Sequence, residues 1–320
     1  MCIQAALLYT NALGERRIRV HSISVPVTTA IANVFRHADL DAIVNLSLKQ
    51  AVSQIYNRST PEQAQKALTQ ACMDSMFIYR KFCAASTSAG QLILPEPLKL
   101  LPLCTVGLIK HPIFQAGLSA DERMFLHSYC TSLPTNVACP FVAPRLFNIS
   151  DIPESCCVPD ENDRVFLPQP LTLSAESMQP NDMYLMENGR FIYLWISDHV
   201  SDEEIYAVFG DSVEDDQLEI LEDEEITSQA SRILCLIDEI RRNSAIFKSL
   251  QIINMKNSHN RQLGSIEESL DETTFFSQLI EDRPAKAPKP AKGKTKNPAH
   301  MSYVDFLCWL HKKIQDKFYA

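Results

Sequence analysis

Few residues of this chain have the types and spacing that chemistry needs. Arg36, His37 and Asp39 lie close together, the raw material of an acid–base pair. Neighbouring positions on a helix point to different faces, so the expected arrangement is a solvated helix start. His127 and Cys130 stand three apart on one predicted helix and could bring a thiol against an imidazole. With no third group to orient them, core packing is the expectation. The ten cysteines are scattered, without a CxxC pair or a His-x-x-x-His type partner set, so the spacing of a zinc site is missing. Cys156 and Cys157 are the closest pair, and because sequence neighbours rarely bridge, reduced thiols are expected. Cys235 is read as a core residue on the apolar side of a helix.

Charge is distributed unevenly behind a net value of -9. The carboxylate run Glu214 to Glu225 offers hard oxygen ligands but lacks the alternating spacing of a calcium loop, which leaves a solvated connection. Arg283 to Lys296 is basic with interleaved prolines and reads as a disordered loop spanning 283–299. No aromatic residue is available there for base stacking, which argues against nucleic acid and for a membrane surface or plain solubility. Lys289, Lys292 and Lys294 are its candidate partner contacts. Phosphate loops of the GxGxxG or GxxxxGK[ST] kind do not occur, and there are only eight glycines against eighteen prolines. The most apolar tract, Leu92 to Ile109, is broken by Pro95, Pro97 and Pro102 and cannot span a bilayer. No catalytic, cofactor or metal-ligating set emerges, so function must lie in surfaces.

The elements that carry those surfaces are easier to read. Met183 to Ile196, MYLMENGRFIYLWI, predicts a β-hairpin with Asn188-Gly189 as a two-residue turn. After it, Phe191, Tyr193 and Trp195 alternate with Ile192, Leu194 and Ile196, so both faces are apolar and both must be covered. Ser201-Asp-Glu-Glu204 then caps a helix bearing Ile205, Val208 and Phe209. This predicts a layered α/β domain over 166–320, with strands at Leu171–Leu173 and Leu250–Met255, a helix at Ile226–Arg242 and a capped helix from Ser265. Its last helix presents Val304, Leu307, Leu310, Ile314 and Phe318. Trp309 falls outside that stripe and is expected to be exposed or half-exposed, available to a partner.

Upstream, helical spacing dominates residues 30–150. Asp39 caps a helix with the stripe Leu40, Val44, Leu48, Val52 and Ile55. Thr60-Pro61-Glu62-Gln63 opens another through Leu68, Cys72 and Phe82, and Ser119-Ala-Asp-Glu122 a third through Phe125, Tyr129 and Leu133. Short apolar helices are expected between them. Residues 151–165 are polar and read as a linker. Residues 1–29 predict two strands joined at Asn11–Gly14, too little for a domain, so that they either pair with a sheet supplied from elsewhere or mark the truncated end of a larger protein.

Several segments in order carry a family resemblance: QAALLYTNALGERRIRVHSISVPVT, IANVFRHADLDAIVNLSLKQA, LKLLPL, MYLMENGRFIYLWI, FFSQLIEDR and MSYVDFLCWLHKKIQ. Together they resemble the cargo-adaptor subunit of the COPII vesicle coat, the SEC24 family. The resemblance implies an α+β multidomain chain: the last strands of a β-sandwich, an all-helical domain and a gelsolin-like domain with a mixed sheet between helices. It implies a non-enzymatic adaptor that gathers cargo for transport from the endoplasmic reticulum to the Golgi. Its partners would be the other inner coat subunit, the small coat GTPase and cargo and SNARE sorting signals, with peripheral contact to the cytosolic face of the membrane. Structural zinc is implied only for the family's N-terminal zinc finger, outside the matching segments. The Lys/Pro tract replaces a Gly/Ser-rich turn of the family, and APRLF at 143–147 stands where a YPRL-type segment is usual.

Three other readings compete, of which a small-molecule enzyme is disfavoured by the absent site. The sibling coat subunit activates the GTPase with an arginine finger, but Arg241-Arg242 sits in a different local pattern and SYVDFLCWLHKKI is typical of the adaptor. An actin-binding gelsolin relative usually strings such units together, whereas only one is expected here.

Overall fold

A computed structural model describes residues 1–57, 59–84, 91–114, 118–210, 218–223, 225–255, 266–285 and 297–319. The chain opens with β1 (Cys2–Thr10) and β2 (Arg16–Ser24), an antiparallel pair in which Leu8 faces Ile18. Gly14, at a φ of 79°, lets the connection turn back. Ile3, Leu7, Leu8, Ile18 and Ile23 are all exposed, so the two strands bury none of their apolar side chains within the described residues.

Helices follow: α1 (Ile31–Arg36), α2 (Leu40–Tyr56), α3 (Pro61–Cys83), α4 (Leu101–Lys110), α5 (Ala120–Ser132) and α6 (Thr135–Val142). The starts of α2, α3 and α5 are fixed by the expected chemistry. Asp39 accepts from the Ala42 N–H at 3.1 Å, and Thr60 with Gln63 and Ser119 with Glu122 form reciprocal capping boxes. Val44, Leu48 and Val52 of α2 are buried against α4, α5 and α6, including Leu108, Cys130, Val137 and Val142. Two expected core residues are not in the core: Phe82 and Phe125 are both exposed. Phe82 lies at the end of α3, where Met76 and Arg80 take the inward positions.

A mixed sheet begins immediately afterwards, within the span expected to be helical, with β3 (Arg145–Asn148). Among the described residues its order is β3, β4 (Met183–Glu187), β5 (Phe191–Ile196) and β6 (Ser249–Asn254), the first three antiparallel and the last parallel to β5. The parallel step is made through α7 (Asp202–Phe209) and α8 (Gln229–Arg242), whose Ile205, Phe209, Ile233 and Ile237 cover Leu185, Leu194 and Ile196. On the other face, α9 (Ile266–Ser277) brings Phe275 over Tyr193 and Trp195. Both faces of the hairpin are thus covered, as its two-sided apolarity requires.

Four local expectations change. The hairpin turn falls one residue later, on Gly189-Arg190: Glu187 pairs with Ile192, and the Asn188 N–H donates to the Phe191 carbonyl at 3.2 Å. Only Gly189 of the turn has positive φ, at 77°. Leu171–Leu173 is no strand but a single bridge from Leu171 to Leu146. The polar stretch 151–165 is not a free linker, since Ile152 and Cys157 are buried in the sheet's core and Arg232 Nη2 donates to the Ile152 carbonyl at 2.7 Å. The helix cap proposed at Ser265 lies outside the described residues.

The last helix, α10 (Tyr303–Tyr319), does not join the sheet. Its Phe306, Leu310 and Ile314 pack with Cys72 and Met76 of α3 and with Val106 and Ile109 of α4. The expected stripe is therefore rotated: Val304 is exposed and Phe306 is buried. Phe306 lies on the face of Leu310 and Ile314, four and eight positions before them, and α3 and α4 pack against that face.

Candidate functional site

Side chains of the helical layer and of the sheet domain meet along a seam. The tip of the β4–β5 hairpin enters this seam. A Cβ on Gly189 would lie 2.7 Å from the Phe141 nitrogen and 2.8 Å from the Val137 carbonyl oxygen, so only glycine lets the turn approach α6 this closely. Tyr129 of α5 donates its hydroxyl to the Gly189 carbonyl at 3.1 Å. Beside it, the Arg190 guanidinium covers the rings of Phe125 and Phe191, each at 4.6 Å from the ring centre.

At the other end of the seam, Lys110 closes α4 and reaches across to the sheet domain. Its Nζ donates to the carbonyls of Ile280 and Asp282 at 2.6 and 2.7 Å. Burial pulls the Lys110 ammonium down to about 8, only partly offset by Asp282 and Glu281. His111 follows it in the interior, where burial pulls the imidazole down to about 4 and keeps it neutral. Its ring packs on Phe141 at 4.6 Å. Asn136 adds a third tie, donating to the Asn243 carbonyl at 2.9 Å.

Inside the sheet domain, Glu187 has no exposed surface and sits between two cations. Arg145 Nε donates to Oε2 at 2.6 Å, and Lys248 Nζ bonds to Oε1. Both carboxylate oxygens are thereby committed, which suits a structural ion cluster and leaves no oxygen free to move a proton. The signal available in the sequence was one acid ending the apolar strand MYLME, and it was missed.

The other sequence candidates are dispersed. Asp39 is engaged as a helix cap. His127 lies against the Tyr56 ring at 4.7 Å, and burial pushes the Cys130 thiol up to about 12, so it is no thiolate near neutral pH. Cys235 is half-buried on α8 and touches the sheet's core. Arg241 donates to the Lys248 carbonyl at 3.1 Å and lies over the Phe247 ring at 4.9 Å. Trp309 is half-buried, stacked on Phe306 with centres 5.8 Å apart, and borders the α3–α10 core rather than standing opposite it. Lys289, Lys292 and Lys294 lie outside the described residues, as do residues 214–217 and 224 of the acidic run. Among the described residues no group of three or more His, Cys, Asp or Glu side chains is arranged to hold a metal, and no helix is long and apolar enough to cross a membrane.

A helical layer tied across a seam to a mixed sheet makes two adjoining domains of this chain. Residues 39–140 match the Sec23/Sec24 helical domain, and residues 164–220 match the gelsolin repeat. The chain belongs to the SEC24 family. It is 34% identical over 98% of its length to protein transport protein SEC24 C of Arabidopsis thaliana, and 28% identical over 98% to protein transport protein Sec24C of Homo sapiens. It spans about a quarter of those relatives, 26% of each. The crystal structure of the human COPII-coat protein Sec24c superposes with a TM-score of 0.76 and 26% identity, covering 99% of this chain and 38% of that one.

Proposed function

We propose that this chain is a structural and cargo-binding part of a COPII-type adaptor, matching the C-terminal portion of its longer relatives. It works by binding rather than by catalysis. The observation that carries the reading is similarity running through both domains, over 98% of the chain. Tyr129 to Gly189 and Lys110 to Ile280 make one body of the helices and sheet, which suits a coat subunit that must transmit assembly contacts without deforming. In this reading the chain acts on the cytosolic face of the endoplasmic reticulum with the second inner coat subunit and the small coat GTPase. Cargo and SNARE sorting signals are its clients, and no cofactor is assigned to these residues.

The test is replacement. A chimera in which this chain substitutes for the matching quarter of human Sec24C is added to a vesicle-budding reaction with the other purified coat components. Incorporation of the chimera into vesicles with cargo is expected. A folded chimera that leaves vesicles empty, or is excluded from them, overturns the proposal.

A further inference from the structure

The outer side of α8 carries a groove of about 450 Å3 that takes no part in the seam between the domains. The inward positions of α8, Ile233, Leu236, Ile237 and Ile240, are consumed by the sheet's core. Positions one step round the helix, Leu234 and Cys235, are left half-buried and form an apolar floor with Cys157, Val165 and Ile226. Ile226, 63% exposed, is the most open of these apolar lining residues. The rim has the opposite character. Asp163, Glu222, Asp223, Asp238 and Glu239 face the groove; Arg241 comes within 4.0 Å of Asp238 from beside it, and among the described lining residues the cation is Arg242. That cation is already paired with Glu239 at 3.2 Å.

The walls are held apart by internal bonds. Ser228 caps α8 by accepting from the Ser231 N–H at 3.3 Å. Arg232 fixes the opposite wall by donating to the carbonyls of Ile152 at 2.7 Å and Cys156 at 3.4 Å, just before Cys157. Such a groove exists before anything binds, so little ordering entropy opposes its occupation.

We propose that this groove docks a linear segment of a partner polypeptide that carries basic side chains next to apolar ones. The rim supplies carboxylates for the bases, and the floor accepts the apolar side chains. The same rim repels acidic peptides, nucleic acid and anionic lipid. The inference does not depend on the coat reading, since it stands on the groove's own walls.

The test uses the full chain and a fluorescein-labelled peptide, Lys-Leu-Lys-Leu-Lys with blocked ends, read by fluorescence anisotropy. Saturable binding is expected, weakened about tenfold or more by Glu222→Lys with Asp238→Lys on the exposed rim and, separately, by Ile226→Asp on the floor. Circular dichroism of each variant checks that it folds, and Leu221→Asp nearby is the control for surface change alone. The peptide Glu-Leu-Glu-Leu-Glu should not bind. Absence of binding by the unaltered chain, equal binding of the acidic peptide, or binding untouched by Ile226→Asp would each overturn the proposal, the last by reducing it to unspecific charge attraction. Deleting residues 286–296 tests the alternative occupant: if the probe then binds much more tightly, the chain's own basic tract fills the groove and the partner proposal falls.

Discussion

The hydroxyl of Tyr129 donates to the carbonyl of Gly189 at 3.1 Å, fastening the tip of a hairpin in one domain to a helix of the other. The fit depends on a missing side chain. Gly189→Ala must place a Cβ 2.7 Å from the Phe141 nitrogen while holding a φ of 77°. The left-handed backbone and the clash together should cost about 2–4 kcal/mol. Tyr129→Phe removes only the hydrogen bond and should cost about 1 kcal/mol. Chemical denaturation of the two variants checks both figures, and equal losses would mean that the turn can back away from α6.

Why the turn sits on Gly189-Arg190 is a matter of side-chain competition. The carboxamide oxygen of Asn188 accepts from the N–H groups of Arg190 and Phe191, at 3.0 and 2.7 Å, so Asn188 belongs to the strand end and glycine takes the first corner. The hairpin itself was legible because alternation on both faces has few other solutions. Its partner surfaces were not, since nothing in local spacing says that α6 will press on Gly189. The terminal helix shows the same limit: stripes through Val304 or through Phe306 both fit a helical period, and only α3 and α4 decide between them. Residues 151–165 looked like a linker because their composition is polar, yet the groups that fasten them are backbone carbonyls, which every sequence possesses. The seam and the Glu187 cluster, both made of long-range contacts, were correspondingly hidden.

Trp195 stacks on Phe275 with ring centres 5.0 Å apart and planes 19° from parallel, beneath α9. Trp195→Ala should open a cavity and destabilise the sheet domain by about 3–5 kcal/mol. The aromatic circular-dichroism band should shrink with it. A loss below about 1 kcal/mol would show that Phe275 and Phe276 collapse into the space.

His111 should make the fold acid-sensitive. Its folded-state value is lowered to about 4 by burial, so the unfolded chain binds the extra proton first as pH falls from about 6.5. Stability supplied by the neutral imidazole is therefore present above that range and lost progressively towards pH 4. Relative to His111→Asn, which preserves an acceptor for the Ile113 N–H, the native chain should lose on the order of 3 kcal/mol across the window. Parallel pH dependences of the two proteins would contradict this.

The Arg241 guanidinium is occupied by the Lys248 carbonyl and the Phe247 ring, an arrangement unlike a finger held free for a phosphate. Adding the chain to the GTP-loaded small coat GTPase should leave hydrolysis at its intrinsic rate, and Arg241→Ala should change nothing in that assay. Acceleration abolished by the substitution would favour the activating sibling subunit over the adaptor.

Trp309 offers the last measurement because it can be isolated. In a Trp195→Phe variant it is the sole tryptophan, since the chain has two. Its ring rests on Phe306 and borders the core formed by Met76, Leu310 and Ile314, while part of it meets solvent. Emission should accordingly lie between the buried and fully solvated extremes, and iodide should quench it more weakly than free tryptophan. Binding of a partner coat component over this edge would shift the emission to the blue and remove the residual quenching. An emission already fully protected in the isolated chain would withdraw Trp309 from any contact surface, and unchanged quenching in the assembled coat would do the same.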